Sequence, residues 1–305
     1  KAYYAILGGG MTAGLEMAIT SGLPLVPKAL RNPMYTTTYG FGEMIADAMQ
    51  RGIRQFILGI GGSATNDAGL GMLQALGYQF FDWNTQLISE PLCGKHLIEI
   101  TRIDDSHVHP MLKECTFTVA CDVQNPLCGP NGCSHVFASQ KGASEAQIVE
   151  MDAWLGEYAR IVGDRGNPEM PGAGAAGGLG FAFRRFLGAE LVPGVELILG
   201  ETKLEEFVRD ADVVITGEGR LDGQTVMGKA PIGVARLAKK YGKRVLAFSG
   251  ILGDGVEAVN AAGIDAYFPI LRKLVSLEEA LDVKNAAANL TATVEQAFRL
   301  LHPFP

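Results

Sequence analysis

The sequence predicts an α/β fold built on a doubly wound parallel sheet, and three features predict it. In the C-terminal third, short runs rich in β-branched or aromatic residues alternate with capped helical stretches. From Gln55 to Phe80 an apolar strand runs into a turn of glycines, hydroxyls and a carboxylate, with a helix expected at once behind it. TFTVACDV, Thr116 to Val123, reads as another strand and leads into the loop NPLCGPNG. Strands that alternate with helices in this way imply parallel pairing and right-handed crossovers.

Taken in order, AYYAIL-GGG-MTAGLEMA near the start has the pattern of a hairpin around three glycines. Tyr39 to Gln50 is helical in pattern and passes through Gly52 into the Gln55 strand, and Gly77 ends the helix after it. Ser144 and Gln147 form a capping box. The helix it opens carries Ile148, Met151, Leu155, Tyr158 and Val162 on one stripe, which reads as ordinary core. DVVIT (212–216), RVLAFS (244–249) and IDAYFPI (264–270) read as buried parallel strands. Pro231 suits the first turn of a helix through Lys240, and Gly242 its stop. Ser276 and Glu279 form a second capping box before a long helix reaching Leu301. Loops leaving the carboxyl ends of such strands share one edge, so 217–230 and 250–255 should lie side by side.

Composition narrows the function classes. The 305 residues are 48% apolar and 19% charged, which describes a globular chain large enough for one or two domains. No run of about 18 apolar residues is present to span a membrane, and KAYYAIL lacks the pattern of a secretory signal. A formal charge of -7 argues against a general nucleic-acid surface. The five cysteines, at 93, 115, 121, 128 and 133, form no C-x-x-C pair and suit reduced thiols in a cytoplasm. His107 and His109 could share a metal only on a strand, and their polar surroundings favour a solvated loop.

Four segments carry candidate chemistry. In GIGGSATNDAG, Gly59, Gly61 and Gly62 let backbone amides approach an anion, and Ser63, Thr65, Asn66 and Asp67 add side-chain donors and acceptors; simple helix capping is the alternative. TGEGRLDGQTVMGKAP collects Glu218, Arg220, Asp222 and Lys229 in one stretch. Gly223 to Lys229 fits G-x-x-x-x-G-K, but Ala230 stands where a hydroxyl should follow, so a phosphate-facing loop of another design is expected. A surface ion-pair loop is the alternative. PGAGAAGGLGF contains G-x-G-x-x-G at Gly172, Gly174 and Gly177 without a preceding strand, so it could bind a ligand or only bring two backbones together. In ACDVQNPLCGPNG, Asp122 and Asn125 sit just past a strand end, for substrate hydroxyls, a metal or local backbone bonding.

In this order the segments GIGGSATNDAGLGMLQALG, ACDVQNPLCGPNG, QKGA, PGAGAAGGLG, ITGEGRLDGQT and GKAPIGVARLAK resemble the type I glycerate kinases over essentially the whole chain. The resemblance implies a flavodoxin-like domain carrying a second, inserted α/β domain. Residues 1–200 would be mostly the inserted domain and 201–305 the flavodoxin-like one. It also implies ATP-dependent phosphorylation of D-glycerate, usually to 2-phosphoglycerate, with Mg²⁺, in the cytoplasm, with a homodimer left open. Two departures accompany it: an N-terminal Asp-Ser-Phe-Lys segment and an acid-rich loop of the family are not found ahead of Lys1, and Gly9 takes a turn position often held by Asp.

On this resemblance, Ser63, Asn66, Asp67, Asp122 and Asn125 are the expected substrate contacts. Gly61, Gly62, Gly174, Gly177, Gly217 and Gly219 are the expected nucleotide contacts. Arg220 and Lys229 would face ATP phosphates or the glycerate carboxylate, and Asp222 or Glu218 would orient the attacking hydroxyl or Mg²⁺, with Asp222 the metal ligand. The rivals are a kinase for another small hydroxy acid and a nonenzymatic nucleotide or sugar-acid binding protein. A nicotinamide dehydrogenase ranks below both, because the glycine fingerprint lacks its strand.

Overall fold

The computed structural model describes residues 1–163 and 167–301. The chain divides into two compact units, one ending at Gly194 and the other beginning at Val195. Both are α/β and parallel-dominated, the class the sequence predicts.

The first unit holds strands β1 (Ala5–Leu7), β2 (Thr12–Glu16), β3 (Gln55–Gly59), β4 (Gln79–Phe81), β5 (Arg102–Asp104), β6 (Thr116–Ala120) and β7 (Glu190–Val192). Five of them form one sheet in the order β1-β2-β3-β6-β7, while β4 and β5 pair as a separate antiparallel ribbon. β1 and β2 are the expected hairpin, antiparallel around Gly8–Gly10. The other three pairings in the main sheet are parallel. Alternation along β3 buries Phe56 and Leu58 against the helix Tyr39–Gln50, whose Phe41, Ile45 and Met49 are also fully buried. Phe56 stacks on Phe117 of β6 at 5.0 Å between centroids. Each such ring contributes about 1.5–3 kcal/mol by leaving water. The helix Glu145–Val162 opens on the expected reciprocal Ser144–Gln147 box, and its Met151, Leu155 and Tyr158 are buried as core.

The second unit holds β8 (Val213–Leu221), β9 (Arg244–Leu252) and β10 (Ala266–Pro269), a parallel sheet in the order β10-β9-β8. Helices cover both of its faces. Val245 and Ala247 point to one side and meet Ile232, Ala235 and Ala238 of the helix Ala230–Lys240, while Leu246 and Phe248 point to the other and meet Ala297. This double coverage explains why RVLAF reads as an unbroken apolar run.

Two expectations about element ends are corrected. Gly217 to Leu221 is strand rather than loop, because β8 keeps its parallel register with β9 as far as Leu221 opposite Leu252. The long C-terminal helix is two helices, Leu277–Leu281 and Val283–Leu301, since Asp282 breaks the first in extended backbone and its Oδ1 accepts the amides of Lys284 and Asn285 to start the second. Among the described residues no helix is long and apolar enough to cross a membrane, and no group of three or more His, Cys, Asp or Glu could hold a metal. All five cysteines are free.

Candidate active site

In the first unit, β3 and β6 are parallel neighbours with Gly59 opposite Ala120, so the chain leaves both carboxyl ends side by side. A cavity of about 390 Å³ opens there, where an open α/β sheet takes its ligands. Gly61, Gly62 and Ser63 line it from one strand end and Asp122 from the other; Gln140, Lys141 and the start of the helix Ala175–Leu187 complete the wall.

The expected helix directly behind the glycine turn is absent. Residues 60–69 run as turns, and the helix begins only at Leu70. A helix dipole therefore does not supply the positive charge at Gly61. Lys141 supplies it instead. Its side chain is 3% exposed, and Nζ donates to Ser63 Oγ and to the Thr65 carbonyl, both at 2.7 Å. Both acceptors are neutral, and burial pushes this ammonium down to about 8. Sequence reasoning did not single out this residue, which enters there only as part of the QKGA motif.

The substrate contacts expected from sequence divide into two groups. Ser63 and Asp122 line the cavity, with Asp122 Oδ1 accepting the Gly194 amide at 2.8 Å. Asn66 and Asp67 are fully buried and do not line it. Asp67 Oδ2 accepts from the Thr38 amide and hydroxyl at 2.9 and 2.7 Å, and Oδ1 accepts the Gly69 amide at 3.2 Å. Burial raises its carboxyl above the usual range against the pull of these donors. This carboxylate ties the loop to the start of the helix Tyr39–Gln50. Asn66 Nδ2 donates to Ser134 Oγ at 2.9 Å, and Asn125 Nδ2 to the Asn131 carbonyl. Gly174 and Gly177 are buried under close backbone neighbours rather than open to the cavity; a Cβ on Gly174 would stand 2.2 Å from the Pro126 carbonyl oxygen.

In the second unit Asp222 lies just past the end of β8 and gathers two cations. Its Oδ2 is 3.1 Å from Arg220 Nε and its Oδ1 3.8 Å from Lys229 Nζ. As expected, the 250–255 stretch lies alongside: the Gly253 amide donates to the Leu221 carbonyl and the Gly223 amide to the Asp254 carbonyl. A Cβ on Gly253 would stand 2.7 Å from Arg220 Nε and 2.8 Å from Asp222 Cβ, so a side chain there would displace the arginine from its present place. Glu218 is held by Thr225, whose buried hydroxyl donates to Glu218 Oε1 at 2.6 Å and accepts the Asp222 amide at 3.1 Å. One hydroxyl thus holds the Glu218 carboxylate and the Asp222 backbone. Replacing it with the isosteric Thr225→Val should cost about 1–2 kcal/mol, since two groups lose their partner; urea unfolding of the purified chain measures it. Gly217 and Gly219 line an apolar hollow on β8, and β9 backbone 2.2 Å from where a Cβ would stand excludes a side chain at Gly217.

The model of the glycerate kinase family matches residues 1–302. The chain belongs to the glycerate kinase family. It is therefore a kinase, a phosphotransferase. A glycerate kinase of Halalkalibacterium halodurans is 49% identical over 95% of this chain and 78% of its own length. A glycerate 2-kinase of Escherichia coli is 47% identical over 98% of this chain and 80% of its own. A crystal structure described as a glycerate kinase 2, from Salmonella typhimurium LT2, superposes with a TM-score of 0.82 at 42% identity, covering 98% of this chain and 79% of that one. The family kinases thus share both the sequence pattern and the fold seen here.

Proposed function

We propose that this kinase transfers a phosphoryl group from ATP to D-glycerate, giving 2-phosphoglycerate, in the cytoplasm. The observation that carries the reading is the cavity at the ends of β3 and β6. There a buried cation with neutral partners and the exposed Gly61–Gly62 backbone face a space of the size that small-molecule sites have. The names of the relatives favour glycerate as the acid that fills it.

In the second unit Arg220 and Lys229 are the groups for donor phosphates, cations on a rigid strand end and a helix start. Mg²⁺ takes one or two carboxylates together with phosphate oxygens and water, and Asp222 with Glu218 matches that donor set. When bound, the ion would neutralise charge on the phosphates. Thr225 fixes the Glu218 carboxylate, and Gln224, whose amide donates to Asp222 Oδ1 at 2.9 Å, helps to fix Asp222.

The test is ADP release by the purified full chain across a panel of small hydroxy acids with ATP and Mg²⁺, with the product read by phosphorus NMR. Turnover on D-glycerate with phosphate on the 2-hydroxyl is expected. Turnover on another acid but not on glycerate moves the protein to the rival kinase reading, and binding without turnover on any acid defeats the catalytic one.

A further inference from the structure

We propose that Lys141 is the specificity-determining anchor for the carboxylate of the acid substrate in the first-unit cavity. The inference rests on the glycerate reading above and assigns one residue of its site. A lysine this deeply buried ordinarily has a carboxylate partner. Here, among the described residues, Nζ has only Ser63 Oγ and the Thr65 carbonyl, which use two of the three ammonium donors. Lys141 also forms part of the cavity wall, and Gly61 and Gly62 line the same space. No internal backbone hydrogen bond engages the amides of those two glycines among the described residues. A cation with a donor to spare, sharing a cavity with free amides, is complementary to a carboxylate and not to a neutral hydroxyl compound. Ser63 and the Thr65 carbonyl aim the ammonium, and Gly142 behind it, at φ +97 with the Arg31 carbonyl oxygen 2.1 Å from where a Cβ would stand, fixes the turn that carries it.

The ammonium also imposes a pH limit. Cys133 and Asp67 are the ionisable neighbours that act on it, and Asp122 faces the same cavity. Cys133 is itself pushed up to about 12 by burial, so it stays a neutral thiol through the working range. Lys141, brought down to about 8, loses its proton as pH rises through that value. Affinity for an anion should therefore fall on the alkaline side.

The experiment is calorimetric binding of D-glycerate and of its neutral primary amide to the full chain and to Lys141→Met, without nucleotide, followed by KM for D-glycerate and for ATP. The wild-type chain should prefer the acid to the amide. In Lys141→Met, binding of the acid should weaken about 30-fold while the amide is held as before, erasing the preference. In steady state, KM for glycerate should rise and KM for ATP stay put. An unchanged acid-to-amide ratio overturns the inference and leaves the kinase reading intact, and so does a variant whose KM rises for ATP alone. A wild-type chain that neither binds nor phosphorylates D-glycerate defeats the substrate reading, and this inference with it. Should the Met variant fail to fold, the pH profile of kcat/KM decides. The wild-type profile should fall about tenfold per unit above pH 8, and Lys141→Arg, which keeps its proton, should lose that limb. A limb unchanged in the Arg variant, or absent from the wild-type chain, overturns the proposal.

Discussion

Asp222→Asn is expected to lower kcat by about two to three powers of ten with the fold intact. The carboxylate stands between two cations, 3.1 Å from Arg220 Nε and 3.8 Å from Lys229 Nζ, and its Oδ1 also accepts the Gln224 amide at 2.9 Å. An asparagine can keep the bond from Gln224. It cannot balance two cations, and its own amide hydrogens meet the Arg220 donor head-on. Arg220 and Lys229 are then released from the positions where they would meet developing phosphoryl charge. Loss of a charge-assisted contact made in the transition state costs about 3–4 kcal/mol, which is that drop in rate. Stability should move by no more than about 1 kcal/mol, because both cations are half exposed and such pairs are screened. Single-turnover phosphoryl transfer, with circular dichroism as the folding control, separates these outcomes. Full turnover would remove Asp222 from the mechanism, and a collapsed fold would make its role structural.

How much of this could be read from the chain depends on the range of the forces involved. The helix Tyr39–Gln50 and the Ser144–Gln147 cap were legible because they rest on apolar spacing and on contacts three residues apart. The pairing of 217–230 with 250–255 was legible because parallel topology alone brings those strand ends together. Element ends set by tertiary contact were not. GEGRL has the composition of a loop, and only the end of β9 running alongside, from Phe248 to Leu252, holds it in strand as far as Leu221. The candidate site divided in the same way. Asp222, Arg220 and Lys229 are close in sequence and proved close in space. Asp67 and Lys141 exchanged the roles their residue types suggest: the acid in the polar motif is buried on the Thr38 hydroxyl and backbone amides, while the lysine of the QKGA motif reaches the cavity. Burial of a charged side chain is decided by residues 78 positions away, as Ser63 is from Lys141, and no local pattern carries it.

Gly177→Ala is expected to destabilise the first unit by about 4 kcal/mol, the sum of a left-handed backbone strain and a steric overlap. Gly177 has φ +69, and an added Cβ would stand 2.1 Å from the Thr65 carbonyl oxygen and 2.6 Å from the Asn66 Cα. Neither neighbour can yield cheaply. The Thr65 carbonyl accepts Lys141 Nζ, and the Gly177 carbonyl accepts the Ala68 amide at 2.9 Å, so the two segments are stitched on both sides of the contact. This gives G-x-G-x-x-G its meaning in this chain: the last glycine lets one backbone touch the loop that orients Lys141. The melting temperature should fall by roughly 10 °C, and because the overlap pushes on Thr65, KM for glycerate should rise in whatever fraction remains folded. A nucleotide-contacting glycine would behave otherwise, with stability preserved and KM for ATP raised. Thermal unfolding beside steady-state titration of both substrates decides between them, and an alanine variant that melts with the parent while losing only ATP would return Gly177 to the nucleotide site.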